Sequence, residues 1–216
     1  MKRAGPAGTG TGASTGIVLA HGRGADAADI LGLFAASGLT DVAAIAPEAP
    51  GQSWWPTSFL APSAQMEPFV VQGVAAMQAA VAALEAEGIA RNRIWLGGFS
   101  QGAGLALESF ARSGEGLAGV FGFSGGLIGT GDAGGPADAA LYGHAPKRFD
   151  YAGRRDGAKV WISVHARDPH IPVKRVEDSA AVLRAMGAAV ETRIHPGAGH
   201  GILAEDMAKL RAWVQG

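Results

Sequence analysis

Cysteine is absent from all 216 residues. That excludes disulfides, thiolate metal sites, a cysteine nucleophile and palmitoylation together. It also fits a cytoplasmic location. Charge bias is missing too: the formal net charge is −1 and no Lys/Arg run occurs. The chain therefore offers no electrostatic footprint for nucleic acid or an anionic membrane. Met1-Lys2-Arg3 could head a signal peptide, yet Gly, Thr, Ala, Pro and Ser follow where its apolar core would be. No membrane span is expected.

What is present describes a globular chain. Apolar residues are 48% and charged residues 17%, enough of the first and few enough of the second to build a core. Residues 1–15 read as a loose N-terminal arm, and residues 16–216 as a single domain. Strand-like runs at 16–20, 41–46, 94–96, 119–123, 160–164 and 190–194 alternate with helical patterns. The clearest helix spans 69–88, with Val70, Val74, Met77, Val81 and Leu84 stepping by four and three. Residues 47–68, with five prolines and two adjacent tryptophans, read as an irregular loop. Residues 126–157 show no period and read as a surface excursion. Strand–helix alternation predicts an α/β fold: a parallel sheet of about six strands, covered on both faces.

Such sheets bind ligands at the carboxyl ends of their strands. Gly98-Phe99-Ser100-Gln101-Gly102 sits at one of those ends, between a strand and a helix, where a nucleophile elbow would be. The five-residue pattern alone decides nothing. Glycine is 34 of 216 residues, and the pattern recurs at Gly122-Phe123-Ser124-Gly125-Gly126. Ser124 lacks a following helix, so context selects Ser100. His21–Gly24, Asp168 and His200 also follow predicted strands, which gathers all of them on one rim. The order serine, acid, histidine is the order expected on an α/β-hydrolase sheet.

The chain resembles the phospholipase/carboxylesterase family of α/β-hydrolases, which includes acyl-protein thioesterases and small bacterial carboxylesterases. The matching pieces are His21-Gly22-Arg23-Gly24-Ala25, Ser53-Trp54-Trp55-Pro56, the Ser100 elbow, His165-Ala166-Arg167-Asp168-Pro169-His170-Ile171-Pro172 and Gly199-His200. The family often has an apolar residue at the position of Arg23, Gly at that of Ala166 and a small acidic or polar residue at that of Arg167.

The resemblance implies an α/β-hydrolase fold with no separate cap domain. Ser100 is then the nucleophile, His200 the general base and Asp168 its orienter. The backbone N–H groups of Arg23 and Gln101 form the oxyanion hole. His195 is the main competitor for the base. Asp206, on a predicted helix, is expected to be solvated. His165 and His21 read as packed or hydrogen-bonded side chains, and His170 as a residue of the mouth. With no His-x-x-x-His pair beside an acid, no metal is expected, and no cofactor is implied. The Arg23 side chain is either a surface ion-pair partner or a contact for an acidic substrate group. Of Trp54 and Trp55, one should lie in the core and the other wall the substrate pocket with Phe59 and Gly22.

The reaction implied is hydrolysis of small to medium carboxylic esters through an acyl-enzyme. Thioesterase or lysophospholipase activity is the alternative within the family. A non-catalytic hydrolase-like binding protein is the alternative outside it, disfavoured because every triad and oxyanion position holds a competent residue. Members of the family are often homodimers.

Overall fold

The computed structural model describes residues 1–6, 12–132 and 135–216. Its strands are β1 (Lys2–Ala4), β2 (Thr15–Ala20), β3 (Val42–Ala46), β4 (Ile94–Phe99), β5 (Gly119–Phe123), β6 (Lys159–Arg167) and β7 (Ala189–Ala198). They form one seven-stranded sheet in the order β1-β3-β2-β4-β5-β6-β7. Every neighbouring pair from β2 to β7 is parallel. The helices are α1 (Ala27–Ala36), α2 (Ser63–Ala86), α3 (Gln101–Ser113), α4 (Val173–Ala185) and α5 (Ala204–Gln215). This is the α/β-hydrolase arrangement, without a separate cap.

Side-chain alternation along the strands divides the core into two layers. Ile17 and Leu19 of β2 pack with Ile30 and Phe34 of α1 and with Leu210 and Val214 of α5. Val18 and Ala20, one residue out of phase, join Met77 of α2, Leu105 and Phe110 of α3 and Val176 of α4. Residues 101–111 of α3 are all buried, because this helix lies between the sheet and α2.

Three expectations are corrected. The arm over residues 1–15 is not loose at its start. Lys2–Ala4 pairs antiparallel with β3, and Lys2 and Arg3 form ion pairs with Asp26 and Glu87. Three residues carry no readable period, and the charged pair suits an exposed sheet edge. Residues 7–11 of that expected arm lie outside the described residues. Helix α2 begins at Ser63 rather than at residue 69, with Pro62 at its N-cap and Pro68 inside it. Pro62 at the N-cap loses little, since the first N–H groups have no partner anyway, whereas Pro68 in the second turn forgoes a bond to the Ala64 carbonyl. By length and composition α2 could cross a membrane, but Met66, Val70, Met77, Val81 and Leu84 are buried as in a core helix.

The excursion over 126–157 is the third. Its first part is interior: Leu127, Ile128 and Thr130 are buried. Backbone bonds from Gly129 to Phe59 and from Thr130 to Ala61 tie it to the proline-rich loop. Buried Arg175 of α4 donates to the Leu127 and Gly129 carbonyls at 2.8 and 2.5 Å. Buried Glu108 of α3 accepts from the Ile128 N–H at 3.2 Å and the Tyr151 hydroxyl at 2.8 Å. These anchors come from residues distant in sequence, so no local period announces them.

The elbow explains its own glycines. A Cβ on Gly102 would lie 2.0 Å from the Ala20 carbonyl oxygen, and one on Gly98 would lie 2.3 Å from the Gly102 carbonyl oxygen. Both obstacles are backbone and cannot rotate away. Gly102→Ala should therefore cost about 3 kcal/mol or more. Gly32→Ala, inside α1 with nothing within 4 Å, should instead gain about 0.5–1 kcal/mol. Urea unfolding midpoints of the two variants check both signs.

Candidate active site

Ser100 stands between β4 and α3 with φ 56° and ψ −117°, a region that side chains other than glycine seldom occupy. Its N–H bonds the Phe123 carbonyl at 2.9 Å, and its carbonyl accepts from Gly104 at 3.1 Å. The backbone is thus held on both sides while the hydroxyl stands free of the helix. Although Ser100 occupies the N-cap position, its side chain caps nothing. The hydroxyl lies 2.8 Å from His200 Nε2.

His200 Nδ1 lies 2.8 Å from Asp168 Oδ2. An ionised carboxylate only accepts, so Nδ1 carries the proton and Nε2 offers its lone pair to Ser100. The imidazole is further fixed by Phe99 at 5.1 Å and by the edge-on ring of His170 at 5.0 Å. Asp168 Oδ1 accepts the N–H groups of His170 and Ile171 at 2.9 and 3.0 Å. Burial alone pushes the Asp168 carboxyl up. The His200 bond, the two N–H donors and the attraction of the imidazole outweigh this and hold it below the usual carboxylate range.

The competitors are engaged elsewhere. Ser124 is fully buried and donates to the Gly201 carbonyl at 3.1 Å, so it steadies the loop that carries His200. His195 is 2% exposed and bonds Asp206 at 3.0 Å. Asp206 is not solvated as expected. It is 0% exposed and accepts from Trp161 Nε1 and the Leu203 N–H, both at 2.9 Å. His165 packs at 5.5 Å from His195. Among the described residues, no group of three His, Asp or Glu side chains is arranged to hold a metal ion.

Residues 10–133 match the model of the Phospholipase/Carboxylesterase family. The chain belongs to the phospholipase/carboxylesterase family. A phospholipase/carboxylesterase from Dyadobacter fermentans DSM 18053 is 34% identical, with a TM-score of 0.85 over 100% of this chain and 95% of that one. Esterase PE8 is 25% identical, with a TM-score of 0.72 over 100% and 99%. Acyl-protein thioesterase 1 of Gibberella zeae is 29% identical over 128 residues, 59% of this chain and 49% of that protein. The chain thus spans about half the length of this curated relative.

In this phospholipase/carboxylesterase chain, Ser100 and His200 open onto a cavity of about 590 Å³. Gly22, Trp55 and Phe59 line it. Trp54 does not. Its Nε1 donates to the His21 carbonyl at 2.9 Å, and its ring lies 5.2 Å from that of His21. The Gln101 side chain accepts from the Trp54 N–H and donates to the Trp55 carbonyl, both at 2.8 Å. The elbow therefore clamps the tryptophan loop directly. Neither the Arg23 nor the Gln101 N–H bonds another described residue, and both residues line the cavity with Ser100.

Sequence reasoning missed three contributors. Phe99 was visible as the residue before the serine. Tyr142, which donates to the Asp168 carbonyl, and His144 come from the aperiodic excursion and gave no signal.

Proposed function

We propose that this hydrolase is a serine carboxylesterase acting on small to medium esters. The observation that carries the reading is the unbroken chain from Ser100 Oγ through His200 to Asp168, with both contacts at 2.8 Å. Ser100 attacks the ester carbonyl as His200 Nε2 takes its proton. The Arg23 and Gln101 N–H groups stabilise the tetrahedral oxyanion. His200 then protonates the departing alcohol, leaving an acyl-serine. Water, deprotonated by the same histidine, attacks that ester and releases the acid. No step calls for a cofactor.

The cavity volume lies within the range of small-molecule sites, in keeping with small to medium esters. The match to a thioesterase supports a second reading, in which a thiol leaves instead. We further place the enzyme in the cytoplasm, in keeping with its lack of cysteine. The test is a series of esters and thioesters with acyl chains from two to sixteen carbons. The esterase reading expects the highest kcat/KM on short oxygen esters. A maximum on long-chain thioesters would replace it with the thioesterase reading.

A further inference from the structure

The cavity over Ser100 carries a formal cation and no facing anion among the described residues. Arg23, His144, His170 and His200 line it, and among the described residues no Asp or Glu does. Asp168, 2% exposed, is turned into its bonds with His200 and the His170 and Ile171 N–H groups. The N-terminus of α3 adds its positive end at Ser100.

Of the two roles foreseen for the Arg23 side chain, a surface ion pair is not the one it takes. It is exposed, yet it pairs with no carboxylate among the described residues. Instead Nη1 donates to the Pro56 carbonyl at 3.0 Å, and Nη2 donates to the Thr57 carbonyl. A guanidinium has five N–H donors, so three remain. The two carbonyl bonds fix a flexible side chain against the cavity wall without neutralising it. A fixed, planar, unneutralised guanidinium is a carboxylate receptor that needs no ordering when its ligand arrives. Arg23 and Ser100 line the same cavity, so a substrate held at the serine shares that space with the guanidinium.

We propose that the preferred substrates are esters carrying a second, ionised carboxylate, such as half-esters of short dicarboxylic acids, and that the Arg23 guanidinium binds that carboxylate. The proposal rests on the esterase reading and names the substrate class of the same site. His144 and His170 supply further N–H donors around the cavity.

The experiment compares monoethyl and diethyl esters of succinate, glutarate and adipate. Wild-type protein is tested beside Arg23→Gln, Arg23→Lys and Ser100→Ala. The readout is the half-ester to diester ratio of kcat/KM, since losing the loop bonds lowers both rates. The ratio should be about 10 to 100 in the wild type and fall towards one in Arg23→Gln. Arg23→Lys should retain part of it, and salt should shrink it in the wild type. Free glutarate should bind Ser100→Ala in calorimetry and bind about tenfold more weakly once Arg23→Gln is added. An equal fall on both ester types, or a wild-type ratio near one, overturns the proposal and leaves Arg23 as a strut of the loop. Undiminished hydrolysis by Ser100→Ala overturns the esterase reading instead, and the glutarate result then still decides the anion site.

Discussion

Ser100→Ala is expected to lower kcat on p-nitrophenyl acetate by about 10⁵- to 10⁶-fold, since the nucleophile and its base act as a unit. A fluorophosphonate probe should label the wild type once, at Ser100, and leave the variant unmarked. The hydroxyl makes the hydrogen bond to the histidine, while the backbone bonds to Phe123 and Gly104 persist in alanine. Alanine must still adopt φ near 56°, so the strain of about 1–3 kcal/mol is carried by both proteins. Stability should therefore change little while activity disappears. Ser124 is the discriminating control. It shares the five-residue pattern and a positive φ of 51°, but its hydroxyl is buried against the Gly201 carbonyl. Ser124→Ala should still be labelled. Persistent labelling of Ser100→Ala, with loss in Ser124→Ala, would reverse the assignment.

That contrast shows what the sequence could and could not say. Both serines follow strands and both sit between glycines, so local pattern could not separate them. The helix after Ser100 could, because its apolar period is local. Asp168 and His200 were legible for a similar reason: each follows a strand whose run is local, and parallel strands bring their carboxyl ends to one rim. Long-range polar partners were not legible. Asp206 sits in the first turn of α5, where a solvated acid is ordinary, and nothing nearby announces Trp161 and His195. The carbonyl bonds of the Arg23 side chain were not legible either, because backbone carbonyls have no sequence signature. Tyr142 was invisible because the excursion is ordered by Arg175 and Glu108 from two helices, rather than by its own pattern.

Asp168→Asn separates catalysis from folding at a single atom. The variant should lower kcat by about 10⁴-fold at neutral pH, because an amide can no longer enforce the tautomer with the proton on Nδ1. Its carbonyl oxygen can still accept the His170 and Ile171 N–H groups, so the loop should keep its shape. The pH dependence of stability carries a sign that follows from the lowered carboxyl. A carboxylate with a folded pKa below its unfolded value adds stability at pH above the unfolded value near 3.8. That contribution drains as pH falls through the folded value, where both states become protonated. Asparagine does not titrate, so wild type should exceed the variant by the largest margin above about pH 5, and the margin should narrow below about pH 3. Urea unfolding of both proteins at several pH values, with kcat measured on the same samples, tests the two halves together. A margin that widens on acidification would mean that burial, rather than the His200 and backbone bonds, governs this carboxyl. A kcat within tenfold of wild type would remove Asp168 from its place behind His200.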